Sequence, residues 1–224
     1  PYCGRVGPTL KKLVETYPND VRVIFKHNPL GFHKRAMPIA KATMAAHMQG
    51  KFWEFHDLVF QRKAYDDAKL EIIATELGLD LAKWKTDQAL PEVEKKILHD
   101  QASMVGHGAR GTPACFINGK LVSGAKPYDA FKTEVDAAIK AADALIAAGT
   151  KLEDVHAKLA EKNAKKTFVD SVIMGGTPPK PPPPKPRKPK QDPNKQVQVD
   201  VHKDDPSMGP KKAQIVLATF SDFQ

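Results

Sequence analysis

A chain of 224 residues, 41% hydrophobic and 27% charged, has ordinary globular composition and length for one full core or two small ones. Its formal charge of +9, from 35 basic against 26 acidic residues, is densest in 177–212, which holds no aromatic residue and so lacks what a base-stacking nucleic-acid surface needs. No apolar run reaches the ~18 residues that span a bilayer, and two cysteines, Cys3 and Cys115, exclude a disulfide-dense scaffold and a zinc site built on cysteine alone.

In chain order, Leu10, Leu13, Val14 and Tyr17 recur at helical spacing and predict a helix from about Arg5 to Tyr17, stopped by Pro18-Asn19-Asp20. Val21-Arg22-Val23-Ile24-Phe25 alternates and is rich in β-branched residues, the mark of a strand. Asn28-Pro29-Leu30-Gly31 closes it with a turn. From Lys34 to about Gly106 the patterning is helical, with separate stretches at Ala36–Gln49, Phe52–Phe60, Leu70–Leu77 and Pro91–Met104. Gly111-Thr112-Pro113 breaks the series. Ala114–Val122 then reads as strand, Asn118-Gly119 turn and second strand, a strong hairpin signal. Helices follow at Tyr128–Ala148 and from about Leu152 to Ala164.

The composition changes near Gly175-Gly176. Residues 177–210 hold eleven of the nineteen prolines, too few apolar groups for a core and too few donors for a ladder, so an extended polyproline II linker is expected. Beyond it, Ala213-Gln214-Ile215-Val216-Leu217-Ala218-Thr219-Phe220 has the pattern of a buried strand.

The two ends of the chain carry matching halves of one pattern. Pro1-Tyr2-Cys3 opens a helix, and an apolar strand runs into Phe220-Ser221-Asp222-Phe223-Gln224. Together with His27-Asn28-Pro29-Leu30, Gly50-Lys51-Phe52-Trp53-Glu54-Phe55-His56 and Gly111-Thr112-Pro113-Ala114-Cys115-Phe116-Ile117-Asn118-Gly119, this ordered set resembles the DsbA-type thiol–disulfide oxidoreductases of the thioredoxin superfamily. The resemblance covers 1–165 and resumes at about 206–224. It implies a thioredoxin-like α/β fold with an inserted helical subdomain, its opening strand displaced to the C-terminus. Cys3 corresponds to the second, resolving cysteine of Cys-Pro-Tyr-Cys, whose first member belongs just before Pro1. Thr112-Pro113 corresponds to a cis peptide beside the dithiol, and Pro1, Tyr2, Thr112 and Pro113 are the expected substrate contacts. A helix N-terminus suits such a dithiol, because its free N–H groups and partial positive charge favour the thiolate.

Cys115 departs from the family pattern, where that strand position is commonly apolar or aromatic. It reads as a core residue, with a partner for Cys3 as the alternative. His27, His33, His47 and His56 lack ligand-like spacing, and Phe52, Trp53, Phe55 and Phe60 read as core, with a substrate-groove rim as the alternative. No metal or cofactor is implied.

The expected organisation is a DsbA-like domain at 1–174 lacking its first strand, then a Pro/Lys-rich linker at 175–212. Residues 213–224 are then the opening strand of a following DsbA-like domain, or a strand that folds back onto the first. The resemblance implies disulfide exchange on protein thiols and disulfides in the periplasm or another extracytoplasmic space, with a redox partner protein and a second DsbA-like domain in the parent chain. No targeting signal is legible at Pro1-Tyr2-Cys3. Two other activities fit the same residues: a redox-inactive module that holds an extended peptide, and a glutathione-dependent transferase or isomerase.

Overall fold

A computed structural model describes residues 2–106, 109, 111–163, 205–210, 215–221 and 223. Pro1, Gln224 and nearly all of the expected linker lie outside the described residues.

A five-stranded mixed sheet forms the centre, in the order β3-β2-β5-β1-β4. β1 (Val21–His27) and β5 (Ile215–Ser221) run parallel along their full lengths, Val21 opposite Ile215 and His27 opposite Ser221. β2 (Ala114–Ile117) runs antiparallel to β5 on its other side, and β3 (Lys120–Ser123) pairs with β2. The apolar strand from the end of the sequence is therefore the middle of the sheet. β5 is the strand that joins β1 to the β2–β3 hairpin, and its Ile215, Leu217 and Ala218 are all buried.

The fold is the thioredoxin-like α/β arrangement, with the opening strand supplied from the C-terminal end of the sequence. The hairpin turns at Asn118 and Gly119, whose φ values of 43° and 90° explain the Asn-Gly pair.

Side-chain alternation gives each sheet face its own cover. Val21, Val23, Cys115, Ile117, Ile215 and Leu217 face α1 (Tyr2–Thr16), α7 (Tyr128–Ala147) and α8 (Leu152–Asn163). Helix α1 presents Cys3, Val6, Leu10 and Leu13 inward, and it starts three residues earlier than the periodicity alone predicts. Its Pro8 withholds one intrahelical donor without ending the helix. On the opposite face Ala114, Phe116 and Ala218 pack with Ala109.

The helical insertion comprises α2 (Ala36–Met48), α3 (Phe52–Arg62), α4 (Asp67–Glu76), α5 (Leu81–Asp87) and α6 (Pro91–Gly106). The short α5 has no separate signal in the periodicity. It is set by an Asp80 side-chain cap on Lys83 and by Trp84, whose indole N–H donates to the Ala42 carbonyl at 2.9 Å.

A buried charged group ties the C-terminal segment to the body. Lys26 of β1 and Lys96 of α6 both pair with Asp205. Both also reach Asp100, at 3.4 and 2.7 Å. Burial alone would push the Asp100 carboxyl up, but the two ammonium groups outweigh it and hold it below the usual carboxylate range. From Asp205 the chain enters the two-residue β4 (Ser207–Met208), antiparallel to β1. It then passes Gly209 at φ 109°, where a Cβ would stand 2.5 Å from the Val21 carbonyl oxygen. Only glycine fits that approach.

Candidate active site

The C-terminal ends of β5 and β1, the start of β2 and the first turn of α1 converge at one end of the sheet. Ala114 lies opposite Phe220, so the Thr112–Pro113 peptide that leads into β2 stands at this end. That peptide is cis, as the resemblance implies, with Pro113 buried and Thr112 half-buried. The Pro113 carbonyl accepts from the Gly124 N–H at 2.9 Å, which anchors the loop to the chain leaving the hairpin.

Cys3 occupies the first turn of α1 with 6% of its surface exposed. Tyr2 beside it is 60% exposed, its ring covered on one side by the Arg5 guanidinium 4.5 Å from the centroid. The helix start is fixed by close packing, since a Cβ on Gly4 would meet Phe60 Cδ1 at 3.3 Å. Phe60 stacks on Phe223 at 5.0 Å, and Phe223 in turn lies 5.8 Å from Phe25 and 5.5 Å from His56. Phe223, just past the end of β5, thus links the central strand to α1 and to the helical insertion. Phe52 and Phe55 are buried in the same cluster, with Trp53 and Phe60 partly buried against it.

Three further residues stand around this end of the fold, and two of them, Tyr65 and Thr219, carry no motif that points to them. The Tyr65 side chain, in the loop after α3, is half-buried, and its phenol is pushed up by burial and by a negative charge on Cys3. The Arg35 Nε donates to the Tyr65 carbonyl at 2.9 Å and holds that loop. Thr219 of β5 is buried opposite Cys115 and accepts a hydrogen bond from its thiol at 3.5 Å. His27, at the end of β1, is buried among Phe25, Phe52 and Phe223. Neither of its ring nitrogens has a hydrogen-bond partner among the described residues. Burial holds the His27 imidazole neutral, its pKa lowered to about 3. Only the chain's return in three dimensions brings Tyr65 within reach of the charge of Cys3; no spacing in the sequence does.

Cys115 is fully buried in the core beneath α1. Burial pushes its thiol up to about 12, the Thr219 hydrogen bond works against that shift, and the charge of Cys3 adds to it. No disulfide joins Cys3 to Cys115. Pro1 lies outside the described residues, so the structure brings together Tyr2, Cys3, Thr112 and Pro113 at one end of the sheet. No group of His, Cys, Asp or Glu suited to a metal ion occurs among the described residues, nor does any helix long and apolar enough to cross a membrane.

The family whose model matches residues 1–136 is the DSBA-like thioredoxin domain. Among curated proteins, the chain is similar to the Na(+)/H(+) antiporter NhaA of Herminiimonas arsenicoxydans, 35% identical over 130 residues, which is 58% of this chain and 20% of that one. It is also similar to Na(+)/H(+) antiporter NhaA 3 of Salinispora tropica, 33% identical over 147 residues, 63% of this chain and 22% of the other. The chain therefore spans about a fifth of the length of these relatives. A crystal structure of a thioredoxin-like oxidoreductase from Silicibacter pomeroyi DSS-3 is 25% identical, with a TM-score of 0.47, over 56% of this chain and 90% of that one. With more than half its length matched, the chain belongs to the DSBA-like thioredoxin domain family, whose chemistry is in general thiol–disulfide oxidoreduction.

Proposed function

We propose that this chain exchanges disulfides with protein substrates through Cys3, acting as the resolving cysteine of a Cys-Pro-Tyr-Cys dithiol whose first cysteine stands immediately before Pro1. In the reducing direction, that first cysteine attacks a substrate disulfide. The Cys3 thiolate then attacks the mixed disulfide, closes the dithiol bond and frees the substrate thiol. Pro1 and Tyr2 contact the substrate on the helix side, and Thr112 and Pro113 on the loop side. The observation that carries this reading is the burial of Cys3 in the first turn of α1, at the sheet end where the cis Thr112–Pro113 peptide begins β2. A shielded second thiol beside an extended backbone suits a two-step exchange, because substrate cannot become trapped on it.

The same reading extends to the whole protein. A second DsbA-like domain lies elsewhere in the parent chain, the protein works in an extracytoplasmic, oxidising space, and a redox partner protein resets the dithiol. The test is turnover of insulin disulfides by the chain carrying one cysteine before Pro1. Its Cys3→Ser variant accumulates a mixed disulfide with substrate instead of turning over. Absence of both turnover and trapped adduct, with peptide still bound, refutes exchange and leaves the redox-inactive peptide-binding module.

A further inference from the structure

Cys115 lies inside the same end of the fold as Cys3, and the exchange chemistry above gives it no part. Its side chain points to the α1 side of the sheet, with Ile117, Ile215 and Leu217. On that face it stands opposite Thr219, four residues along β5 from Ile215. Helix α1 covers this face through Leu13, Leu10, Val6 and Cys3. It runs back along β1, since the Val21 N–H, where the strand begins, donates to the Tyr17 carbonyl at 3.0 Å. Val6 of this helix lies in the same buried cluster as Cys115. Cys3 follows one turn further along the same inward stripe, a rise of about 4.5 Å. The thiol of Cys3 is thereby carried to the end of the sheet where Cys115 and Thr219 stand. The charge of Cys3 reaches Cys115 and adds to the rise of its thiol.

We propose that Cys115 is an inner partner for Cys3, so that a disulfide formed on Cys3 can pass inward to a Cys3–Cys115 bond. The inference rests on Cys3 being reactive toward disulfides. In the first step the Cys3 thiolate attacks a disulfide RSSR, forming Cys3–S–S–R and releasing RS⁻. In the second, Cys115 gives up its proton and its thiolate attacks the Cys3 sulfur, breaking the mixed disulfide and releasing a second RS⁻, which takes up the proton. Two protein thiols are oxidised to one disulfide, RSSR is reduced to two thiols, and the two protons end on RSH. Thr219 positions the attacking sulfur, because its hydroxyl accepts the Cys115 S–H and sets the direction of that group. The raised Cys115 pKa makes the second step slow at neutral pH and faster by about tenfold per pH unit up to pH 9. An inner bond of this kind gives the domain a stored, protected oxidised state that the outer dithiol can draw on.

The experiment uses the 224-residue chain and cystamine, a disulfide small enough to reach a thiol that is 6% exposed. Native protein is treated at pH 7, 8 and 9, quenched in acid, and followed by intact mass and by peptide mapping without reduction. The expected product first carries one cysteamine on Cys3. It then loses that group to give a monomer lighter than the reduced chain by two hydrogens, with Cys3 and Cys115 in one cross-linked peptide. Closure accelerates about a hundredfold from pH 7 to pH 9, and Thr219→Val slows it. A stable cysteamine adduct on Cys3 with Cys115 still free at pH 9 overturns the inner partner while leaving Cys3 disulfide-reactive. No modification of Cys3 at any pH overturns the inference alone, because the exchange reading needs Cys3 to attack only the mixed disulfide beside it and is tested by insulin turnover.

Discussion

His27 gives the most direct test of how this core is held. Its ring is 1% exposed, sits against Phe25, Phe52 and Phe223, and has no hydrogen-bond partner on either nitrogen among the described residues. The charged and titratable groups that act on it are Asp100 and Lys96 of α6, His56 of α3 and His47 of α2. Of these only Asp100 favours the protonated ring, and burial outweighs it, lowering the pKa from 6.5 to about 3.

A folded pKa below the unfolded one means that the unfolded chain binds the proton first. The stability carried by neutral His27 is therefore complete above pH 6.5 and drains away as pH falls toward 3. Each pH unit in that window removes about 1.4 kcal/mol, so the loss is about 2 kcal/mol at pH 5 and about 5 kcal/mol near pH 3. Against a domain stability of roughly 5–15 kcal/mol, that is enough to dominate acid unfolding.

His27→Phe keeps an aromatic ring in the cluster and removes two buried, unpartnered nitrogens. Its stability at pH 7 should equal or exceed that of the parent, and its slope between pH 6.5 and 4 should vanish. Urea unfolding at pH 7, 6, 5 and 4 on both proteins measures this directly. A parent protein of constant stability over that range, or a variant that keeps the parent's slope, refutes the reasoning.

The buried charged group makes a separate prediction. Asp205→Asn leaves Lys26 and Lys96 short of one counter-charge and should cost roughly 3–5 kcal/mol, read as a lower urea midpoint at pH 7. Asp100, held below the usual range, contributes stability that is complete above its unfolded pKa of about 3.8. That contribution is lost only below this value, a window more acidic than that of His27, so the two act one after the other on acid titration. Gly209→Ala places a Cβ into the Val21 carbonyl at a φ that alanine avoids. It should destabilise the protein by roughly 1–3 kcal/mol, with amide exchange speeding up first in β4 and in the part of β1 that it covers. Phe223→Ala removes the stack on Phe60 and should cost about 3–5 kcal/mol. It should also raise the alkylation rate of Cys3 by iodoacetamide, because α1 loses a support beneath its first turn.

Much of this molecule is legible in one dimension. The alternation of Val21–Phe25, the Asn118-Gly119 turn between two apolar runs and the inward stripe of α1 each follow from local rules, because the residues that set them are neighbours in sequence. The Thr112-Pro113 pair before a strand and Cys3 at a helix start are legible as well, through the resemblance they help to carry. Sequence also identifies Ala213–Phe220 as a buried strand, but strand pairing is a non-local choice and no pattern within the segment names its neighbours. The tertiary structure decides that β5 fills the gap between β1 and β2, where both of its faces and both of its edges are satisfied at once.

The same holds for the surroundings of Cys3. Tyr65, whose phenol responds to its charge, lies far from it in sequence and is an unremarkable residue where it stands in the chain. Lys26, Lys96, Asp100 and Asp205 are scattered along the sequence, and only the fold gathers all four, burying Lys26 and both carboxylates. Local propensity can place a thiol at the start of a helix. Which groups surround that thiol, and how far burial shifts their protons, is set by contacts between distant segments and exists only in the folded protein.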